Sequence, residues 1–134
     1  MKSLIVDDDF FSRRILQTML AEYGETHVAV DGNEALFAFE QSLAEENPYD
    51  LICLDIMMPG LDGFGALEKI RALRGGGDIP VIAVTARAMK GDRESILGAG
   101  FDGYVSKPID GDALVGEIER HMAHRRKGTY GKEE

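Results

Sequence analysis

Short runs of consecutive apolar residues alternate along the chain with stretches whose apolar positions recur every three or four residues. The run Ser3–Val6 (SLIV) is short enough for a buried strand, and Leu16, Met19, Leu20 and Tyr23 then fall on one helical face within residues 13–23, with Gly24 as a stop. The pattern repeats. His27–Val30 reads as a second strand, followed by a helix over Asn33–Glu46 with Leu36, Phe39 and Leu43 on one side. Leu51–Leu54 (LICL) is a third strand, apolar at every position as a strand covered on both faces must be. A third helix carries Phe64, Leu67, Ile70 and Leu73, and the loop Gly75–Asp78 leads to a fourth strand, Val81–Val84. A polar, weakly patterned helix follows over about residues 89–98 and is closed by Gly100. Tyr104–Ser106 is a fifth strand, and a final helix starting near Asp110 carries Leu114, Ile118 and Met122.

Five strands alternating with five helices predict an α/β fold, a doubly wound parallel sheet with helices on both faces. At 134 residues the chain is of single-domain length. No internal repeat or linker precedes about Lys127, so the expected organisation is one domain over 1–127 and an unstructured tail over 128–134. The formal net charge of −9 disfavours direct contact with nucleic acid. A basic patch, His124–Lys127 (HRRK), suits the carboxyl end of a helix. With one cysteine, Cys53, inside an apolar run, no internal disulfide can form. No apolar stretch approaches membrane-spanning length, and the expected setting is the cytoplasm, without a membrane partner.

The chemistry lies in what ends each strand. The first strand runs into Asp7, Asp8 and Asp9, the third into Asp55, the fourth into Thr85 and the fifth into Lys107. Ligands of an open parallel sheet bind beyond the carboxyl ends of its strands, so these residues should meet at one rim although up to about 100 positions separate them. Mg²⁺ prefers oxygen ligands and commonly takes one or two carboxylates, and a divalent cation offsets the repulsion within a cluster of acids. A carboxylate can also attack a phosphoryl group to form an acyl phosphate. Lys107 and Thr85 would then neutralise, and hydrogen-bond to, the phosphoryl oxygens.

The motifs VDDD, LDIMMPGLDG, VTA and GFDGYVSKP, in that order over residues 3 to about 125, resemble the receiver domain of two-component response regulators. The resemblance implies a flavodoxin-like sheet of order 2-1-3-4-5. It implies that Asp55 is the phosphoacceptor, that Asp8 and Asp55 bind Mg²⁺ directly with the Met57 backbone carbonyl, and that Asp7 acts through water. Thr85 and Lys107 correspond to the hydroxyl and lysine that hold the phosphoryl group, and Ala86 is small enough to leave it accessible. Thr85 and Tyr104 correspond to a switch pair, and the Lys107–Pro108 bond to one that is cis. Asp9 matches no metal-binding position and is expected to be solvated. Met57 and Arg87 should flank the mouth of the site, where attacking water enters.

The implied activity is that of a stand-alone signalling domain rather than a dedicated enzyme. It would take phosphate from a histidine kinase or phosphotransfer protein and then bind a downstream protein, or itself, through its fourth helix, fifth strand and fifth helix. An aspartate-nucleophile phosphatase of the haloacid dehalogenase type is the alternative, but it needs a second acid two residues after the nucleophile, where this chain has Met57. A flavin- or nucleotide-binding domain would need a Gly- or Ser/Thr-rich cradle where this chain has DDDFF. In MPGLDG, Pro59 and Gly60 suit a tight turn and Asp62 a helix N-cap. The spacing of His27, His121 and His124 matches no metal-ligand pattern.

Overall fold

A computed structural model describes residues 1–133, with side chains through Met122. The tail expected over 128–134 and the basic patch at 124–127 therefore lie outside the described side chains. The elements run β1 (Lys2–Val6), α1 (Phe10–Leu20), β2 (Glu25–Ala29), α2 (Gly32–Ala44), β3 (Leu51–Leu54), α3 (Gly63–Ala72), β4 (Val81–Thr85), α4 (Asp92–Gly98), β5 (Gly103–Ser106) and α5 (Gly111–Glu133). The strands form one sheet in the order β2-β1-β3-β4-β5, every neighbouring pair parallel.

The all-apolar composition of the central strands follows from the pleat. Alternate residues point to opposite faces, and both faces are covered. Leu4, Val6, Ile52, Leu54, Val81 and Ala83 face a layer built by Ala35 and Phe39 of α2, Ala66, Leu67 and Ile70 of α3, and Ile96 of α4. Ile5, Leu51, Cys53, Ile82 and Val84 face Leu16 and Leu20 of α1 and Leu114 and Ile118 of α5. Fully burying a Leu or Ile side chain stabilises by about 1.5–3 kcal/mol, so these two layers hold the sheet between five helices. Cys53 is enclosed, and burial pushes its thiol up to about 12.

The elements fall where the hydrophobic pattern places them, with shifts at the ends. α1 begins at Phe10, three residues before the expected start, because the Asp9 carboxylate caps it by accepting the Ser12 N–H at 3.0 Å. β2 begins at Glu25 rather than His27; as an edge strand it buries only Ala29 fully and tolerates polar residues. α4 starts at Asp92, after Gly91 at φ 91°, so the stretch from Met89 is a loop. Gly60 takes the positive φ its turn requires (74°), and Asp62 caps α3 through the Gly65 N–H at 2.9 Å.

Candidate functional site

The site sits on the rim formed by the carboxyl ends of β1, β3, β4 and β5. Backbone bonds carry the sheet one residue past its strands: the Asp7 N–H donates to the Ala29 carbonyl at 3.1 Å and the Asp55 N–H to the Val6 carbonyl at 3.0 Å. Asp7 and Asp55 are thereby fixed side by side, 0% and 3% exposed, while Asp8 faces solvent. Each of the three offers a carboxylate oxygen such that all lie within 4.8 Å of one another. The close passage of α3 is part of the construction. A Cβ at Gly63 would come within 2.4 Å of the Asp55 carbonyl oxygen, so only glycine lets the helix start there.

Lys107, on the segment after β5, supplies the counter-charge. Its Nζ lies 3.0 Å from Asp55 Oδ2, to which it donates, and 2.9 Å from Asp7 Oδ2. The Asp7 contact has the distance of an ion pair but lacks hydrogen-bond alignment, and Asp7 Oδ2 is a buried oxygen without a hydrogen-bond partner. Burial raises the Asp7 carboxyl above the ordinary range, although Lys107 and the Asp9 N–H oppose that, and the Asp55 charge adds to it. Burial alone would lower the Lys107 ammonium, but the adjacent carboxylates of Asp7 and Asp55 outweigh this and its pKa rises. The Lys107–Pro108 bond is cis, as the resemblance implied.

Three convergent carboxylates, one exposed and one with a buried oxygen that accepts no hydrogen bond, are a hard-cation donor set. One lysine does not offset three acids, so the residues fit Mg²⁺. The Met57 N–H donates to Asp55 Oδ1 at 3.1 Å, which turns the chain over the carboxylate and leaves the Met57 side chain exposed.

On the other side, Thr85 is buried, Ala86 exposed and Arg87 half-buried. Thr85 Oγ1 accepts the Arg87 N–H at 3.2 Å, and the Thr85 carbonyl accepts the Lys107 N–H at 2.9 Å. Half-buried Tyr104 donates its hydroxyl to the Arg87 carbonyl at 2.8 Å. The rim thus gathers Asp7, Asp8, Asp55, Thr85 and Lys107, with Met57, Ala86 and Arg87 around them and Tyr104 one bond from Arg87.

The two described histidines, His27 and His121, stay outside the site. His27 lies between the Tyr49 hydroxyl (2.7 Å) and Glu25 (2.5 Å), and His121 packs against Glu117 on α5. Two features were not drawn from the sequence. Asp9 is an N-cap rather than merely solvated, which the spacing of Asp9 and Ser12 could have suggested. Asp92 accepts from both Arg87 Nε (3.0 Å) and the Met89 N–H (2.7 Å), which nothing in the local pattern signals.

Residues 3–119 match the family model described as the response regulator receiver domain. The chain is 42% identical over 124 residues to the hybrid signal transduction histidine kinase I of Dictyostelium discoideum, covering 90% of this chain and 7% of that protein. The chain spans less than half the length of the first curated relatives it matches. Among solved structures, the receiver domain of a Pseudomonas aeruginosa sensor histidine kinase, with a magnesium ion coordinated in its active-site cleft, superposes with a TM-score of 0.77 at 34% identity, over 91% of this chain and 97% of that one. A CheY-like response regulator receiver domain protein of Methanospirillum hungatei gives 0.78 at 30% identity, over 95% and 97%. With the sheet order, the acidic rim and these likenesses in agreement, the chain belongs to the response regulator receiver domain family.

Proposed function

We propose that this receiver accepts a phosphoryl group on Asp55 from a histidine kinase or phosphotransfer protein and acts as a cytoplasmic relay or effector. The observation that carries the reading is the setting of Asp55. It is nearly buried at the end of β3, has two further acids within 4.8 Å, and holds an ammonium at 3.0 Å. The Asp55 oxygen forms a bond to phosphorus as the bond to the donor imidazole nitrogen breaks; the bonding pair stays on that nitrogen, and the imidazole leaves as the neutral ring because its other nitrogen carries a proton. Lys107 stays beside the oxygens that gain charge, and Thr85 offers a hydroxyl hydrogen bond to one of them. Asp8, Asp55 and the Met57 carbonyl, with Asp7 through water, would hold Mg²⁺, which supplies charge neutralisation when bound. Met57, Ala86 and Arg87 stand where water must pass to hydrolyse the product.

Output follows from Thr85 and Tyr104, which both bond to Arg87. A shift of Thr85 toward the phosphoryl group lets Tyr104 change position and re-forms the face of α4, β5 and α5, where a downstream protein or a second copy binds. Neither nucleic acid nor membrane is a partner in this reading. Among the described residues no helix is long and apolar enough to cross a membrane.

Incubation with acetyl phosphate and Mg²⁺ should add about 80 Da, one phosphoryl group, as expected for an acyl phosphate. Asp55→Asn should abolish the adduct. Labelling of that variant at another residue would refute the assignment.

A further inference from the structure

Arg87 makes contacts in four directions. Its N–H is held by Thr85 Oγ1 and its carbonyl by the Tyr104 hydroxyl. Its guanidinium donates through Nε to Asp92 Oδ1 at 3.0 Å and lies 5.3 Å over the Phe64 ring of α3. Phe64 is itself fixed edge-on against Phe101, with centroids 6.0 Å apart. Asp92 is the first residue of α4, and its second oxygen accepts the Met89 N–H at 2.7 Å, so one carboxylate ties the loop after β4 both to itself and to Arg87. The rest of α4 is lightly anchored. It has seven residues, no side-chain N-cap at Gly91, and Ile96 as its one fully buried side chain.

These contacts form a single chain from the candidate phosphoryl site to α4. In the arrangement described, the Arg87 peptide sits against Thr85 while its side chain is pinned outward to Asp92 and Phe64. If Thr85 moves toward a group on Asp55, the Arg87 peptide must follow or lose its bond. Following it pulls against the Asp92 pair.

We propose that the Arg87–Asp92 ion pair is a clasp that holds α4 and the loop before it in the unphosphorylated arrangement. Arg87 is then a positioning residue through which Thr85 acts on α4. The proposal rests on the reading of Asp55 as phosphoacceptor. A contact present in one arrangement and broken in the other biases the equilibrium against the second. Removing the clasp therefore favours the phosphoryl-bound arrangement before any phosphate arrives, and a phosphoryl mimic binds more tightly because less of its binding energy goes into the rearrangement.

Asp92→Asn keeps an acceptor for the Met89 N–H while removing the charge that holds Arg87. Arg87→Met keeps the backbone bonds to Thr85 and Tyr104 and an apolar stem over Phe64. Beryllofluoride affinity, measured in the presence of Mg²⁺ by NMR, should rise about two- to fivefold in each variant, the range expected for losing a partly exposed ion pair. In each variant without the mimic, amide shifts of residues 92–98 should move part-way along the line from free to mimic-bound wild type. The double variant should gain little beyond either single, since both remove one contact. Wild-type response with equal or weaker affinity in both variants, or additive effects in the double, would overturn the clasp alone. A wild type that ignores beryllofluoride would overturn the phosphoacceptor reading and the clasp with it.

Discussion

Asp7, Asp8 and Asp9 are chemically identical neighbours with three different fates. Asp7 continues the sheet and is buried, Asp8 projects from the rim into the acidic cluster, and Asp9 turns back to cap α1. The backbone makes the difference: the Asp9 N–H donates to Asp7 Oδ1 at 2.9 Å, which closes a tight turn and points the side chain between them outward. An exposed carboxylate beside two buried ones is the one that can meet a hydrated cation at the least desolvation cost. Asp8→Asn should therefore weaken Mg²⁺ binding on the order of tenfold in a metal titration, consistent with the dependence of such sites on ligand charge. Asp9→Asn should change it far less, because asparagine caps a helix about as well as aspartate. The reverse order of effects would mean that the ligand is Asp9 and that the assignment is off by one residue.

At the scale of elements, the carboxylates of Asp9 and Asp92 tie down the starts of α1 and α4. The Asp9 carboxyl is held below the ordinary value of 3.8, first by the Ser12 hydroxyl and then by the Ser12 N–H. Asp92 is held low first by the Arg87 guanidinium and then by the Met89 N–H. A folded pKa below the unfolded one means that the contribution is fully present above about pH 4 and is lost as pH falls through the folded value. The Ser12 and Met89 amide resonances should accordingly titrate with midpoints below 3.8 in an acid series, and midpoints at or above that value would contradict these bonds. The same residues show what could be read in advance. The central strands were legible because Leu4–Val6, Leu51–Leu54 and Val81–Val84 are buried on both faces, so each position had to be apolar. The start of α1 was not, since Phe10 and Phe11 are 55% and 73% exposed and break the amphipathic signal. Strand ends told where Asp55, Thr85 and Lys107 would converge, because a parallel sheet brings its carboxyl ends together whatever the intervening sequence. The ties of Arg87 to Asp92, Phe64 and Tyr104 depend on side-chain directions from three separate elements, and no periodicity encodes those.

For the whole molecule, the site is a local debt carried by two apolar layers. The chain bears a net charge of −9, and its most enclosed carboxylate, Asp7, has a buried oxygen that no hydrogen bond satisfies. Burial raises the Asp7 pKa, so holding it ionised at neutral pH costs folding free energy that the unfolded chain does not incur. Asp7→Asn removes that charge while Lys107 keeps Asp55 at 3.0 Å, so the metal-free variant should melt at a higher temperature than the metal-free wild type. Mg²⁺ should stabilise the two proteins to different extents. A ligand that binds only the folded state at a hundred times its dissociation constant stabilises by about 2.7 kcal/mol. That should raise the wild-type melting temperature by roughly 10 °C for a domain of this size. In Asp7→Asn the same titration should give a much smaller rise, because the cluster has lost one of its acids and the repulsion that the cation relieves. The two curves are therefore expected to converge or cross as Mg²⁺ is added. A metal-free Asp7→Asn protein less stable than wild type, with an undiminished response to Mg²⁺, would show that Asp7 is held by interactions within the fold and has no part in binding the cation.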